Sequence, residues 1–174
     1  MITNNYVPEK IAEANAYLDG TKMIGTGASF DLPEINQKTS TVAGGGINGE
    51  IDSPTIGQFE KLEQTVKFNT LYSSAMDMLS PKNTVNITFR SAQQVYDKNG
   101  GYDFKGLRIV ERGRVKSFKL GKIEKSETMD SEITLELTYI LVEVDGKALL
   151  EIDKLNSVYK VNGEDMLAEI NALV

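Results

Sequence analysis

Period-two alternation runs through three stretches of this 174-residue chain and narrows its possible folds more than any other feature. In NTVNITFR, Val85, Ile87 and Phe89 alternate with Asn86, Thr88 and Arg90. In SEITLELTYI, Ile133, Leu135, Leu137 and Tyr139 alternate with Glu132, Thr134, Glu136 and Thr138. In KLEQTVKF, Leu62, Val66 and Phe68 oppose Lys61, Glu63, Thr65 and Lys67. Side chains along a strand point to opposite faces in turn, so each stretch predicts a strand with its apolar face inward. Asp19-Gly20, Asn99-Gly100-Gly101 and Asp145-Gly146 lie between apolar runs. Residues that tolerate positive φ predict tight hairpins there, and hairpins make the pairing antiparallel.

Helical spacing is confined to two places. Leu71, Ala75, Met76 and Leu79 lie between Asn69-Thr70, either of which can cap a helix, and Pro81, which stops one. Near the C-terminus, Asn162 or Gly163 can cap a helix with Glu164 and Asp165 in its first turn and Met166, Leu167, Ile170 and Leu173 buried. The expected architecture is mainly β: one domain over residues 1–174, an antiparallel sandwich or barrel with one or two short helices. A hydrophobic content of 40% and a charged content of 25% suit a globular core. No apolar run reaches the ~18 residues of a membrane span. The opening MITNNYVPEKIAEAN lacks the basic flank and apolar core of a signal peptide. Residence in the cytoplasm, without membrane insertion, is the expectation.

The chain has no Cys, no His and no Trp. Thiolate chemistry and disulfides are excluded, and the commonest general base and transition-metal ligand are missing. Asp103, Glu111, Glu151 and Asp153 could in principle pair for acid–base work or hold a hard cation. Among 25 acidic residues such pairs arise by chance, and a solvated face accounts for them. Neither an enzyme nor a metal or cofactor site is expected.

Residues 31–57 show no sustained period, and a loop longer than ~12–15 residues is uncommon in a compact domain unless it has a function. Its second half, AGGGINGEIDSPTIG, holds five glycines and three isoleucines in fifteen positions. A phosphate-binding loop would need Gly-Lys-Ser/Thr after the glycines, whereas here GGGINGE ends on Glu50. Leu32, Ile35, Val42, Ile47, Ile51 and Ile56 would each gain ~1.5–3 kcal/mol from burial. The segment therefore either folds back on its own domain or docks on a neighbouring copy. We expect docking, with contacts through Leu32, Pro33, Ile35, Gly44, Gly45, Gly46, Ile47, Asn48, Gly49, Ile51 and Ile56.

Charge is segregated along the chain. Residues 108–125 carry a balance of +5 and residues 126–174 one of −8, within a net charge of −6. Arg108, Arg112, Arg114 and Lys116 fall on one face of an extended strand. A DNA-binding stripe would interleave aromatic residues on that face, and between Arg108 and Lys116 there are none. Ion pairing across strands or between subunits, for which Glu132 and Glu136 are available, is the simpler reading. Arg108, Arg112 and Arg114 accordingly join the expected interface.

The run VEVDGKALLEIDKLNSVYKVNGEDMLAEINALV, residues 142–174, carries an ordered set of residues. These are Asp145-Gly146-Lys147, Leu149 or Leu150, Glu151-Ile152-Asp153, Asn156, Val161-Asn162-Gly163, Asp165 and Leu167. The set resembles the end of the major tail tube protein of contractile-tailed phages and contractile phage-tail-like bacteriocins. Upstream, Tyr17-Leu18-Asp19-Gly20, Leu32-Pro33, Gly45-Gly46-Ile47-Asn48-Gly49, Arg112-Gly113 and the charged loop 121–129 are similar too. The likeness spans roughly residues 14–174, leaving residues 1–13 as an N-terminal extension without a counterpart.

The resemblance implies a β-sandwich subunit that forms a hexameric ring, with sheets joined edge to edge around a lumen. Rings would stack into a tube inside a contractile sheath, and contraction would drive the tube through the target envelope. Implied partners are further copies of the chain, the tail sheath protein, and baseplate and tail-terminator proteins. DNA would cross the lumen without specific binding. Assembly would take place in the cytoplasm of a bacterial host, and the product would be a virion tail or a released tail-like particle. A lining that repels phosphate suits such a conduit. Glu132, Thr134, Glu136 and Thr138 are the candidate lining, followed by Lys61 and Glu63. The alternatives are the tube of a related injection or secretion machine, or a β-sandwich module that binds a ligand.

Overall fold

A computed structural model describes residues 6–27 and 29–174. In chain order the elements are β1 (Tyr6–Leu18), β2 (Thr21–Lys22), β3 (Gln37–Val42), β4 (Ile51–Phe59), β5 (Glu63–Phe68) and α1 (Ser73–Asp77). There follow β6 (Val85–Asp97), β7 (Gly101–Lys119), β8 (Ser131–Val144), β9 (Lys147–Asp153), β10 (Val158–Val161), β11 (Glu164–Asp165) and α2 (Ala168–Asn171). Every pairing among the described residues is antiparallel, and the helices are short, as the alternation and turns predict. Nine strands form one sheet in the order β11-β10-β9-β8-β7-β6-β1-β2, with β5 attached to β8. β3 and β4 form a separate two-stranded sheet.

The large sheet divides at β8. One edge of β8 pairs with β7 along nearly its whole length. Its residues 131–136 also pair with β5, and residues 139–144 with β9. The apolar face of this fork is the core: Leu62, Val66 and Phe68 meet Ile87, Phe89, Ile109, Ile133, Leu135, Leu137, Ile140 and Ile152. Ala75 and Met78 of the α1 region and Met23 and Phe30 of the segment before the arm pack on the same cluster. Ile87, Ile133, Leu135, Leu137 and Ile152 have no solvent exposure, so the strands predicted to be half buried are the ones that organise the molecule.

Several expectations need correction. Alternation in β8 breaks after Leu137, because its register with β7 slips between Arg112 and Gly113. The extra residue, Thr138, makes a β-bulge, which turns Tyr139 outward and brings Ile140 into the core. Gly113 sits opposite the bulge, where a Cβ would collide with the Glu136 carbonyl. α1 begins at Ser73 after Tyr72, with no side-chain cap, so neither Asn69 nor Thr70 starts it. Asn162 and Gly163, at φ 52° and 87°, form the turn between β10 and β11 instead of capping a helix. Glu164 and Asp165 are therefore strand residues. α2 starts later, after Leu167, whose amide donates to the Asp165 carboxylate at 2.9 Å. Of the four residues expected to be buried in that helix, Leu167 is buried while Ile170 and Leu173 are exposed. Of the N-terminal extension, residues 1–5 lie outside the described residues, and from Tyr6 onward it is the first half of β1.

Candidate assembly surfaces

Residues 31–57 are not an irregular loop. They hold most of the β3–β4 hairpin, which runs on to Phe59 and whose tip, residues 43–50, carries the glycine cluster. The period is invisible in sequence because alternation marks a strand only when one face is covered, and most of this hairpin lies in water. Leu32, Ile35, Val42, Ile47, Ile51 and Ile56 are each 36–55% exposed. Pro33 is half-buried, and Gly44, Gly45, Gly46, Asn48 and Gly49 at the tip are exposed. In the single chain these side chains are about half covered, Leu32 bordering a groove with Phe30 and Phe89 and Ile56 one with Ile152 and Leu167.

Both roots of this arm are fastened. On the entering side, the buried Gln64 donates from Nε2 to the Asp31 carbonyl at 2.9 Å. On the leaving side, Phe59 meets Tyr159 edge to face at 5.0 Å, and Lys154 Nζ donates to the Glu60 carbonyl at 2.9 Å. The amide of Glu60 also donates to the Asn36 carbonyl at 2.9 Å, closing the hairpin at its base. Gly57 takes φ +77° directly under Leu167, and a Cβ there would stand 2.5 Å from Leu167 Cδ2.

A second apolar surface lies where β1, β6 and β7 run on past the core. Val7, Tyr96 and Tyr102 are in register across these three strands, so they share a face. Tyr96 and Tyr102 meet at 5.7 Å, and Tyr102 and Phe104 are 69% and 59% exposed. β1 pairs with β6 on one side, while its other edge is covered by β2 only at Tyr17 and Leu18. From Tyr6 to Ala16 that edge has no strand partner among the described residues, and such an edge is a template for another strand.

The expected lining and the expected arginine interface turn out to be one surface. Glu63 pairs with Glu136, and Glu136 with Arg114; Thr65 pairs with Thr134. Directly paired residues share a face, which therefore spans β5, β8 and β7 and extends along β7 to Arg112 and Arg108. Thr138 and Tyr139 look onto the same depression as Arg112 and Arg114. Most carboxylates on this face carry their own counter-ion. Glu63 is paired with Lys116 and Lys61, Glu132 with Lys119 at 3.6 Å, Glu136 with Lys154 at 3.6 Å, and Glu143 with Arg108 at 2.6 Å. The hydrogen bond from Lys116 holds the Glu63 carboxyl below its ordinary range and Lys116 above its own. Arg112 lies 4.9 Å over the Tyr139 ring and donates to Asn86 Oδ1 at 3.0 Å.

The solvated face expected for Asp103, Glu111, Glu151 and Asp153 fails at Glu111, which lies among apolar neighbours. Glu111, on the core face of β7 between Ile87 and Ile140, is fully buried. Neither of its carboxyl oxygens has a hydrogen-bond partner among the described residues. Burial pushes its pKa up to about 8. Its odd position beside Ile109 in the alternation was the available signal. The described residues hold no group of three or more His, Cys, Asp or Glu placed to share a metal ion, and no helix is long and apolar enough to cross a membrane.

The described residues thus form an antiparallel sheet with an unpaired β1 edge and a hairpin bearing partly exposed apolar side chains, an architecture of structural rather than catalytic character. The chain belongs to the phage tail tube protein FII family, whose model matches residues 8–173. It is 27% identical over 163 residues to the tail tube protein of Escherichia phage P2, covering 94% of this chain and 95% of that protein. It is likewise 27% identical over 160 residues to the major tail tube protein of Serratia phage KSP20, covering 92% and 91%. It is therefore a structural protein of the phage tail tube type.

Proposed function

We propose that the chain is the repeating unit of a tube conduit, built as one domain that closes into hexameric rings which stack. The β1 edge of one copy meets the opposite side of the next sheet, a head-to-tail contact that closes by rotation into a barrel around a lumen. The arm, residues 31–57, crosses to a neighbouring subunit. The polar face of β5, β7 and β8 lines the channel, with Arg108 there as the counter-ion of Glu143 and Arg112 and Arg114 adding positive charge beside its carboxylates. A contractile sheath surrounds the tube, baseplate and terminator proteins bound its ends, and contraction drives it through a cell envelope. Assembly takes place in the cytoplasm of the bacterial host. The role is mechanical and needs no reaction.

The observation that carries this reading is the arm: six apolar side chains, each 36–55% exposed, on the β3–β4 hairpin and the segment leading into it, with both roots fastened. An arm that served only its own chain would have covered those side chains further, since completing their burial gains part of the ~1.5–3 kcal/mol that full burial gives each. The test is negative-stain electron microscopy of the purified protein across a concentration series, with and without tail baseplates as nuclei. Rings or hollow tubes are expected. Particles that stay monomeric in the presence of baseplates would overturn the reading. They would turn attention to the apolar groove of about 330 Å³ between Phe30, Phe89 and Leu107 as a ligand site.

A further inference from the structure

We infer that the C-terminal segment, residues 158–171, is a clamp that sets the angle of the docking arm, with Leu167 as its pin and Gly57 as the seat. This inference rests on the docking-arm reading above and names the residues that position the arm for its partner. Four features carry it. Gly57 lies within β4 at φ +77°, and Leu167 occupies the space in which any other residue would put its Cβ. Leu167 is 8% exposed although its neighbours along α2 are open to water, so its burial comes from the arm and the sheet. A groove of about 350 Å³ separates the arm root from β9, β10 and α2, lined by Ile56, Gln58, Lys154, Ser157, Ile170 and Asn171. The contacts that bridge this region are Leu167 on Gly57, Phe59 on Tyr159, and Lys154 on the Glu60 carbonyl.

The clamp is itself held in place by local bonds. The Met166 amide donates to the Tyr159 carbonyl at 2.8 Å, and the Asp165 carboxylate accepts from the Leu167 amide at 2.9 Å. β11 returns the chain onto β10 through Glu164 and Asp165, so Leu167 emerges at a fixed point above β4. Gln64 pins the entering root from β5, on the other side of the β8 fork. An arm so fastened reaches its partner already ordered, which removes part of the entropy cost of docking. Leu167 is a positioning residue: it acts on assembly through the arm.

Leu167→Ala and the conservative Leu167→Met test this by two readouts. Amide hydrogen exchange is measured on the unassembled protein, and tube growth is measured from preformed wild-type seeds. For Leu167→Ala we expect exchange over residues 51–59 to rise about tenfold while β6–β8 amides keep their protection. Growth should slow by a similar factor, and Leu167→Met should restore both. Unchanged exchange in 51–59 would overturn the clamp, and so would unchanged growth from seeds with a freed arm. If Leu167→Ala loses protection throughout the sheet, Leu167→Val gives the same readouts at smaller amplitude. If wild-type protein does not extend seeds, the assembly reading fails, whereas the exchange experiment still decides whether Leu167 holds the arm.

Discussion

At the residue scale, Glu111 sets a pH dependence with a defined sign. Its folded-state pKa is about 8, raised from 4.5 by burial among apolar neighbours. The unfolded chain releases the proton near the lower value and the folded chain keeps it to the higher one. The stability it contributes is therefore full below about pH 4.5 and is lost progressively as pH rises through about 8. Glu111→Gln keeps the shape without the charge. Thermal unfolding of the unassembled variant at pH 8.5 should show a gain of roughly 5–10 °C, on the order of 2–4 kcal/mol, and little gain at pH 4.5. An equal gain at both pH values would show that the effect does not come from ionisation of this carboxyl, and would remove the pH dependence assigned to it. Gly113 makes the opposite point. Gly113→Ala drives a Cβ into the Glu136 carbonyl. Backbone, unlike a side-chain tip, yields only by shifting β8, so we expect a loss of ~2–4 kcal/mol by chemical denaturation.

Elements differ in how far the sequence reveals them. β5, β6 and the first half of β8 stand out because one face is buried and the other wet, the condition that writes a period of two. The hairpins at Asp19-Gly20 and Asp145-Gly146 are legible through residues that adopt positive φ, as all four do. The arm stands out in composition but its hairpin does not: glycines and isoleucines mark the segment, while a hairpin that lacks a core of its own leaves no alternation. The Thr138 bulge is invisible for another reason, since one inserted residue changes which side chains face in without changing their type. The C-terminal helix fails because Asn162-Gly163 serves a cap and a tight turn equally well. For the arm itself, Ile47→Asp should leave far-UV circular dichroism and unfolding unchanged, because Ile47 is exposed in the single chain. Tubes should be absent by electron microscopy; tubes of normal appearance from this variant would remove the arm from the assembly contacts.

For the whole molecule, the expected lining and interface merge because residues far apart in sequence are laid on one face by the β5–β8–β7 pairing. Sequence shows the charges and their spacing, whereas neighbours across strands depend on register. The face is balanced, each main carboxylate having a lysine or arginine beside it. Glu132→Gln with Glu136→Gln frees Lys119 and Lys154 from their partners. If this face lines the channel, tubes of the double variant should retain single-stranded oligonucleotide at low salt and release it as salt rises, whereas wild-type tubes pass it. No retention would place the face elsewhere. The ladders of β6, β7 and β8 have a last consequence. β7 runs 19 residues, roughly 60 Å at the usual strand rise, and is bonded to β6 along one part and to β8 along the rest, with both overlapping in the middle. Those bonds lie across the strands. A push or pull along β7 loads many of them together in shear, whereas a sideways force opens them one after another. The subunit is therefore stiff in one direction and compliant in the other, like a plank with a grain.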